Sequence, residues 1–256
     1  MRSGPLVLLG VACLFSTSVR GQQGNGSSPV VAAQAQTVLN GCATAMGATQ
    51  GELPIVAQGT LTASGEQAPR TVTIKTHGRR LFRQDQTVPG GGGESWVINN
   101  GDGFRLSGSQ KEKMASHVVR YFRPEHLPAL SCAPDLNKFD VAVAGQEQVN
   151  GRAVHHLKLV TKPVNAKGQG VEAALSEYHV YVDTQTLMVL KTSSFAFSPT
   201  NLQNRSLWET YYSDYRNVHG MLVPFHVENY LDGQKIQDIV LSDVQVGMSL
   251  SNAEFE

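Results

Sequence analysis

Eight histidines, three cysteines and 21 carboxylates give this chain the residue types for hydrolysis or metal chemistry, so their spacing has to decide. His155 and His156 are adjacent, and adjacent side chains on a strand point to opposite faces, so the two cannot hold one metal ion together. His77, His117, His126, His179, His219 and His226 are scattered without zinc-ligand spacing. Ser107 follows Leu106 without the earlier glycine of a Gly-x-Ser-x-Gly elbow. Gly90–Gly93 lacks the Lys-Ser/Thr of a phosphate loop, and no helical pattern opens after it. Glu177, Asp183, Glu209 and Asp214 are numerous enough to pair in space, which a sequence does not show, and Asp183 fits the role of a turn residue. The expectation is a non-enzyme with no catalytic residue, no metal and no cofactor.

Cysteines and aromatics are more informative. Cys42 and Cys132 are an even pair for an oxidising compartment, where a disulfide would close a loop of about 90 residues, worth roughly 4 kcal/mol. Two separate buried thiols are the alternative. Phe195 and Phe197 share a strand face, Trp208 and Tyr212 share a face of the next strand, and Trp96 and Phe104 lie on a hairpin upstream. These six are either ordinary core or the wall of an apolar cavity, which is a core left partly unfilled.

Residues 30–46 repeat apolar positions at threes and fours (Val31, Ala35, Val38, Leu39, Cys42), which predicts a helix with Ser28 as N-cap, Pro29 in its first turn and Gly47 at its end. From residue 54 the period becomes two. Short strands alternate with turn signals, the strongest being Asn100-Gly101, Asn150-Gly151, His219-Gly220 and Asp232-Gly233. Gly90–Gly93 reads as a mobile loop. Residues 111–130 carry Met114, Val118, Tyr121 and Phe122 at helical spacing before Pro124 and Pro128, which predicts a helix, a stop and a second turn. The whole is mainly β with a few helices: roughly ten or eleven strands in one antiparallel sheet. Its buried face favours a curled, incomplete β-barrel covered by helices, with a sandwich as the alternative.

Arg2 followed by the apolar run 5–15 and small residues reads as a secretory signal, too short to span a bilayer. The expected division is a signal peptide at 1–21, a flexible tether at 22–29 and a single β domain at 30–256, exported to a bacterial-type periplasm. Acylation of Cys13 is the alternative, giving a lipid-anchored chain. Lys+Arg and Asp+Glu both number 21, so no basic bias points to nucleic acid. No later stretch predicts an integral span.

The helix ending Ala45-Met46-Gly47, the meanders with a Pro-punctuated break, the strand–turn–strand Tyr181-Val182-Asp183-Thr184-Gln185-Thr186-Leu187-Met188, and Tyr212-Ser213-Asp214-Tyr215 leading to Val223-Pro224 and Leu231-Asp232-Gly233 form one pattern. With Phe255 near the end, this resembles the outer-membrane lipoprotein-sorting protein superfamily, the LolA/LolB-like carriers. The likeness covers residues 40–256 and is strongest at 176–256. It implies a LolA-like incomplete barrel with an apolar cavity for lipid or lipoprotein acyl chains. It carries no functional residue over. The chain departs from the carriers in length, in the Gly90–Gly93 loop and in a polar insert at 161–170. Three functions follow, in descending order: a carrier or binder of lipid-like ligands, an interaction module that docks envelope proteins with a filled core, and an envelope hydrolase.

Overall fold

A computed structural model describes residues 29–66, 68–87, 90–162, 169–198 and 200–256. The expected signal peptide, Cys13, the tether up to residue 28 and the Ser28 cap lie outside the described residues. The first helix, α1 (Pro29–Met46), buries Ala35, Val38, Leu39 and Cys42 of the stripe its periodicity predicts, and Met46 beside them. It ends at Gly47 with φ +63°, where a Cβ would collide with the Gly220 carbonyl. Only glycine lets the helix end seat on that hairpin.

Six strands follow: β1 (Pro54–Ala63), β2 (Arg70–His77), β3 (Leu81–Thr87), β4 (Gly93–Asn99), β5 (Asp102–Ser107) and β6 (Gln110–Lys113). A short helix α2 (Ser116–Arg120) and a 3₁₀ turn, Pro128–Cys132, lead to β7 (Phe139–Val149), β8 (Arg152–Thr161), α3 (Gln169–Ser176), β9 (Tyr178–Asp183), β10 (Val189–Phe197), β11 (Arg205–Val218), β12 (Met221–Leu231) and β13 (Gln234–Val246). All thirteen strands form one sheet in the order β6-β5-β4-β3-β2-β1-β13-β12-β11-β10-β9-β8-β7. Pairing of β1 with β13 joins two antiparallel meanders, and the terminal strands β6 and β7 do not pair, so the sheet is an unclosed barrel.

The four two-residue turns read from the sequence have both residues at positive φ: Asn100-Gly101, Asn150-Gly151, His219-Gly220 and Asp232-Gly233. That geometry matches the right-handed twist of the flanking strands. The sheet edges are guarded. β6 is Gln-Lys-Glu-Lys with every residue exposed, and α1 packs along β7. One face of the sheet carries a continuous core, including Ile74, Phe82, Tyr178, Tyr212, Val227 and Ile239, which α1, the α2 segment and the 3₁₀ turn cover. The opposite, outer face holds two smaller clusters, one of them Leu81 and Val97 packed on Phe255.

The structure differs from the sequence reading in two places. The expected helix from residue 111 is a strand at Gln110–Lys113, and α2 spans only five residues. A fully exposed strand shows no apolar alternation, so nothing in its composition marked it. The polar insert runs into α3, whose eight residues are too few for a helical period to stand out. The sheet has thirteen strands against the expected ten or eleven, and the described residues form three α-helices.

Asp183 takes the turn role. Its buried carboxylate accepts hydrogen bonds from the Gln185 and Thr186 amides (3.0 and 2.6 Å) and the Thr186 hydroxyl (2.8 Å), and pairs with Arg152 at 2.9 Å. Burial pulls its pKa up, but these hydrogen bonds and Arg152 outweigh burial and hold it below the usual carboxylate range. The stability it contributes is therefore present above its unfolded pKa and is lost as pH falls through its folded one. Asp183→Ala should cost about 2 kcal/mol at neutral pH, measured by urea denaturation, because it leaves two turn amides without their acceptor. Unchanged stability would remove the carboxylate from this role.

Candidate functional site

The site is made by residues 114–126, which cross the inner face of the sheet. α2 stops before Pro124, whose preceding residue is disfavoured in helical geometry, and the chain then turns at Pro124–Leu127, where the Leu127 amide donates to the Pro124 carbonyl at 3.1 Å, into the Pro128–Cys132 turn. Gly103 leaves room for this crossing, since a Cβ there would press on Val119 and Met114. Arg79 anchors the far end by donating to the carbonyls of Leu130 (2.6 Å) and Ala133 (2.7 Å). Cys42 of α1 and Cys132 are joined beside it, Cα atoms 5.5 Å apart. The Met46 sulfur lies 3.9 and 3.8 Å from theirs and accepts a hydrogen bond from the Val189 amide at 3.3 Å.

Three cavities surround this strap, and Phe122 lines all of them. The inner one, about 200 Å³, is walled by Phe82, Trp96, Met114 and Trp208 and carries Gln84, Glu125, His126 and Gln237 among its lining. The middle one, about 240 Å³, lies between α2, Leu175 of α3, and β10–β11. The outer one, also about 240 Å³, has Arg79, Arg120, Arg123 and Lys138 around Phe122, Leu130 and Phe139.

The six aromatics separate by strand register. Trp96 and Trp208 meet across the inner cavity. Tyr212 is buried on the same face, but its hydroxyl bonds Thr192 (2.9 Å) and it fills core. Phe104 pairs with Val97 while Trp96 pairs with Arg105, so Phe104 faces outward, under the Lys111 ammonium at 4.1 Å. Phe195 pairs with Leu207 while Trp208 pairs with Ser194, so Phe195, and Phe197 two residues on, turn away from Trp208. Residues 192–197 border the middle cavity, and the Arg205 guanidinium covers the Phe195 ring at 4.1 Å.

The polar groups of the site went unread in the sequence. The Glu125 carboxylate accepts from the Asn229 amide at 3.0 Å; burial raises its pKa to about 7, against the hydrogen bond from Asn229. Burial drives His126 down to about 3, and its Nε2 has no partner among the described residues. The Asn229 Oδ1 is likewise buried without a partner. Their signal was present: Arg123, Glu125 and His126 bracket a proline inside an otherwise apolar run.

Two outer-face clusters were also unforeseen. Ser213 Oγ lies 3.0 Å from His226 Nδ1, and His226 Nε2 lies 2.8 Å from Asp238. This is the order of a hydrolase triad, but Ser213 is exposed on the open sheet, and none of the three cavities adjoins it. His226, Glu228 and Asp238 converge closely enough for a metal ion, yet Lys235 pairs with both carboxylates and supplies the cation itself. His156 turns from His155 toward His179, with 2.7 Å between ring nitrogens and Glu147 and Glu177 at the outer ends, a cross-strand chain on the outer face.

An unclosed antiparallel sheet with helices over one face and apolar cavities beneath them is the architecture of this chain, and solved structures share it. The chain is similar to a LolA superfamily protein from Nitrosomonas europaea (12% identity, 87% of this chain and 97% of that one, TM-score 0.54). It is also similar to a domain from Vibrio parahaemolyticus described as an outer membrane lipoprotein-sorting protein (11% identity, 88% and 97%, TM-score 0.52). The fold is LolA-like. No protein-family model and no curated protein matches the sequence. No helix among the described residues is long and apolar enough to cross a membrane.

Proposed function

We propose that this protein is a non-enzymatic periplasmic carrier or binder of acyl-chain ligands, lipids or lipoproteins, with residues 1–21 as its export signal and 22–29 as a tether. The observation that carries this reading is the apolar cavity walled by Trp96, Trp208 and Phe122 beneath a helical strap. Buried methylenes stabilise a complex by about 0.8 kcal/mol each, so an acyl chain needs no covalent chemistry to be held. Phe122 borders all three cavities, and its withdrawal would join them into one channel.

Native mass spectrometry on protein purified from a periplasm tests the reading. We expect a mass excess that disappears on denaturation and releases an acyl lipid. A clean unliganded mass, repeated after incubation with a lipid extract, would move the function to an envelope interaction module.

A further inference from the structure

Arg123 is a cation in search of an anion. Its guanidinium stacks 4.2 Å over the Tyr178 ring and lies 5.8 Å from that of Phe139. Among the described residues it makes one hydrogen bond, from Nη1 to the Tyr121 carbonyl at 3.1 Å. A guanidinium carries five N–H donors and stays protonated inside proteins, so most of its donors are uncommitted. Burial lowers its pKa and nearby Arg79 adds to that, Tyr178 and Tyr121 oppose the shift in part, and no carboxylate contributes. Among the described residues none forms an ion pair with it. A half-buried charge left this way is costly unless something completes it.

Its position shows where that partner would come from. Arg123 borders both the middle and the outer cavity. The outer cavity gathers three further cations, Arg79, Arg120 and Lys138, against a single carboxylate, Glu172. Arg79 spends donors on the Leu130 and Ala133 carbonyls and reaches a carboxylate, Glu52, only at 3.5 Å; Arg120 reaches Glu172 at 3.6 Å, and Lys138 pairs with Asp135 at the surface. The outer cavity is thus cationic with aromatic walls, and the inner one is apolar.

We propose that the ligand is an anionic amphiphile, whose tail lies under Trp96, Trp208 and Phe122 and whose carboxylate or phosphate head is bound by Arg123. This rests on the acyl-ligand reading above and adds the charge and place of the head. The flat guanidinium suits the two oxygens of either head group.

The chain has two tryptophans, and both line the inner cavity, so their fluorescence reports tail binding directly. The full protein is titrated, below micelle-forming concentrations, with palmitate, with palmitoyl lysophosphatidate and with neutral monopalmitoylglycerol. We expect the anionic probes to bind about tenfold tighter than the neutral one. In Arg123→Met that ratio should fall to near one. Arg123→Lys, which keeps the charge and loses the fork, should retain part of it, with circular dichroism confirming that both variants fold. Equal binding of charged and neutral probes to the wild type, or a preference that survives Arg123→Met, would overturn the head-group assignment and leave the carrier reading standing. If no probe changes the tryptophan signal or binds by calorimetry, the carrier reading itself fails, and this assignment with it.

Discussion

Replacing both Cys42 and Cys132 by alanine should lower stability by about 4 kcal/mol, the chain-entropy value for a loop this long. The residues are 90 apart in sequence and 5.5 Å apart at Cα, so the unfolded chain without the bond regains a large loop. Native packing adds to the effect. Both side chains are buried, and the Met46 sulfur that touches them also accepts the Val189 amide, tying α1 to β10. Guanidinium denaturation of the oxidised wild type, the reduced wild type and the double variant separates these contributions. The bond's share appears between oxidised and reduced protein, and the packing share between reduced protein and variant. Alkylation of both thiols in native protein without reductant, together with equal stability of oxidised and reduced samples, would mean that the bridge is absent in solution. The bridge also bears on function, because Cys132 closes the segment that forms the cavity roof. Reduction should therefore loosen the strap over Phe122.

The sheet was legible because its signals are local and repeated. Alternating residues mark the strands, two-residue turns ending in glycine set four of the hairpins, and the positive φ values at Asn100, Asn150, His219 and Asp232 mark those turns. The stripe of α1 was legible for the same reason. Strand faces were not. The faces of Trp96 and Phe104 depend on the pairing of β4 with β5, and a shift of one residue exchanges them. Three of the six candidate aromatics accordingly face outward. The polar side of the site was harder still. Glu125 meets Asn229 across 104 positions, and Arg123 meets Tyr178 across 55, contacts that no local pattern encodes. The outer-face relay of Ser213, His226 and Asp238 was invisible for the same reason, since it forms only when β11, β12 and β13 lie side by side.

Glu125 should make the protein less stable as pH rises, against the direction set by Asp183. Its folded pKa is about 7, raised by burial. In the unfolded chain a glutamate titrates near its ordinary value of 4.5. Below that value the carboxyl is protonated in both states and favours neither. As pH climbs toward 7 the unfolded chain ionises first, so stability falls, levelling above pH 7 after a loss of about 3 kcal/mol. Glu125→Gln stays neutral at every pH and keeps an oxygen for the Asn229 amide. It should match the wild type near pH 4.5 and exceed it by about 3 kcal/mol at pH 8. The comparison has to be the difference between variant and wild type at each pH, because depressed carboxylates such as Asp183 and Asp238 act the opposite way in acid. Urea denaturation at pH 4.5, 6 and 8 measures it. A difference that does not change with pH would show that Glu125 ionises normally, reached by water through the cavity it lines. The same titration bears on the ligand. Glu125 and Arg123 both border the middle cavity, so a Glu125 that ionises above pH 7 places a negative charge beside the proposed anionic head. Palmitate should then bind more weakly at pH 8 than at pH 6 in the wild type, and the drop should vanish in Glu125→Gln.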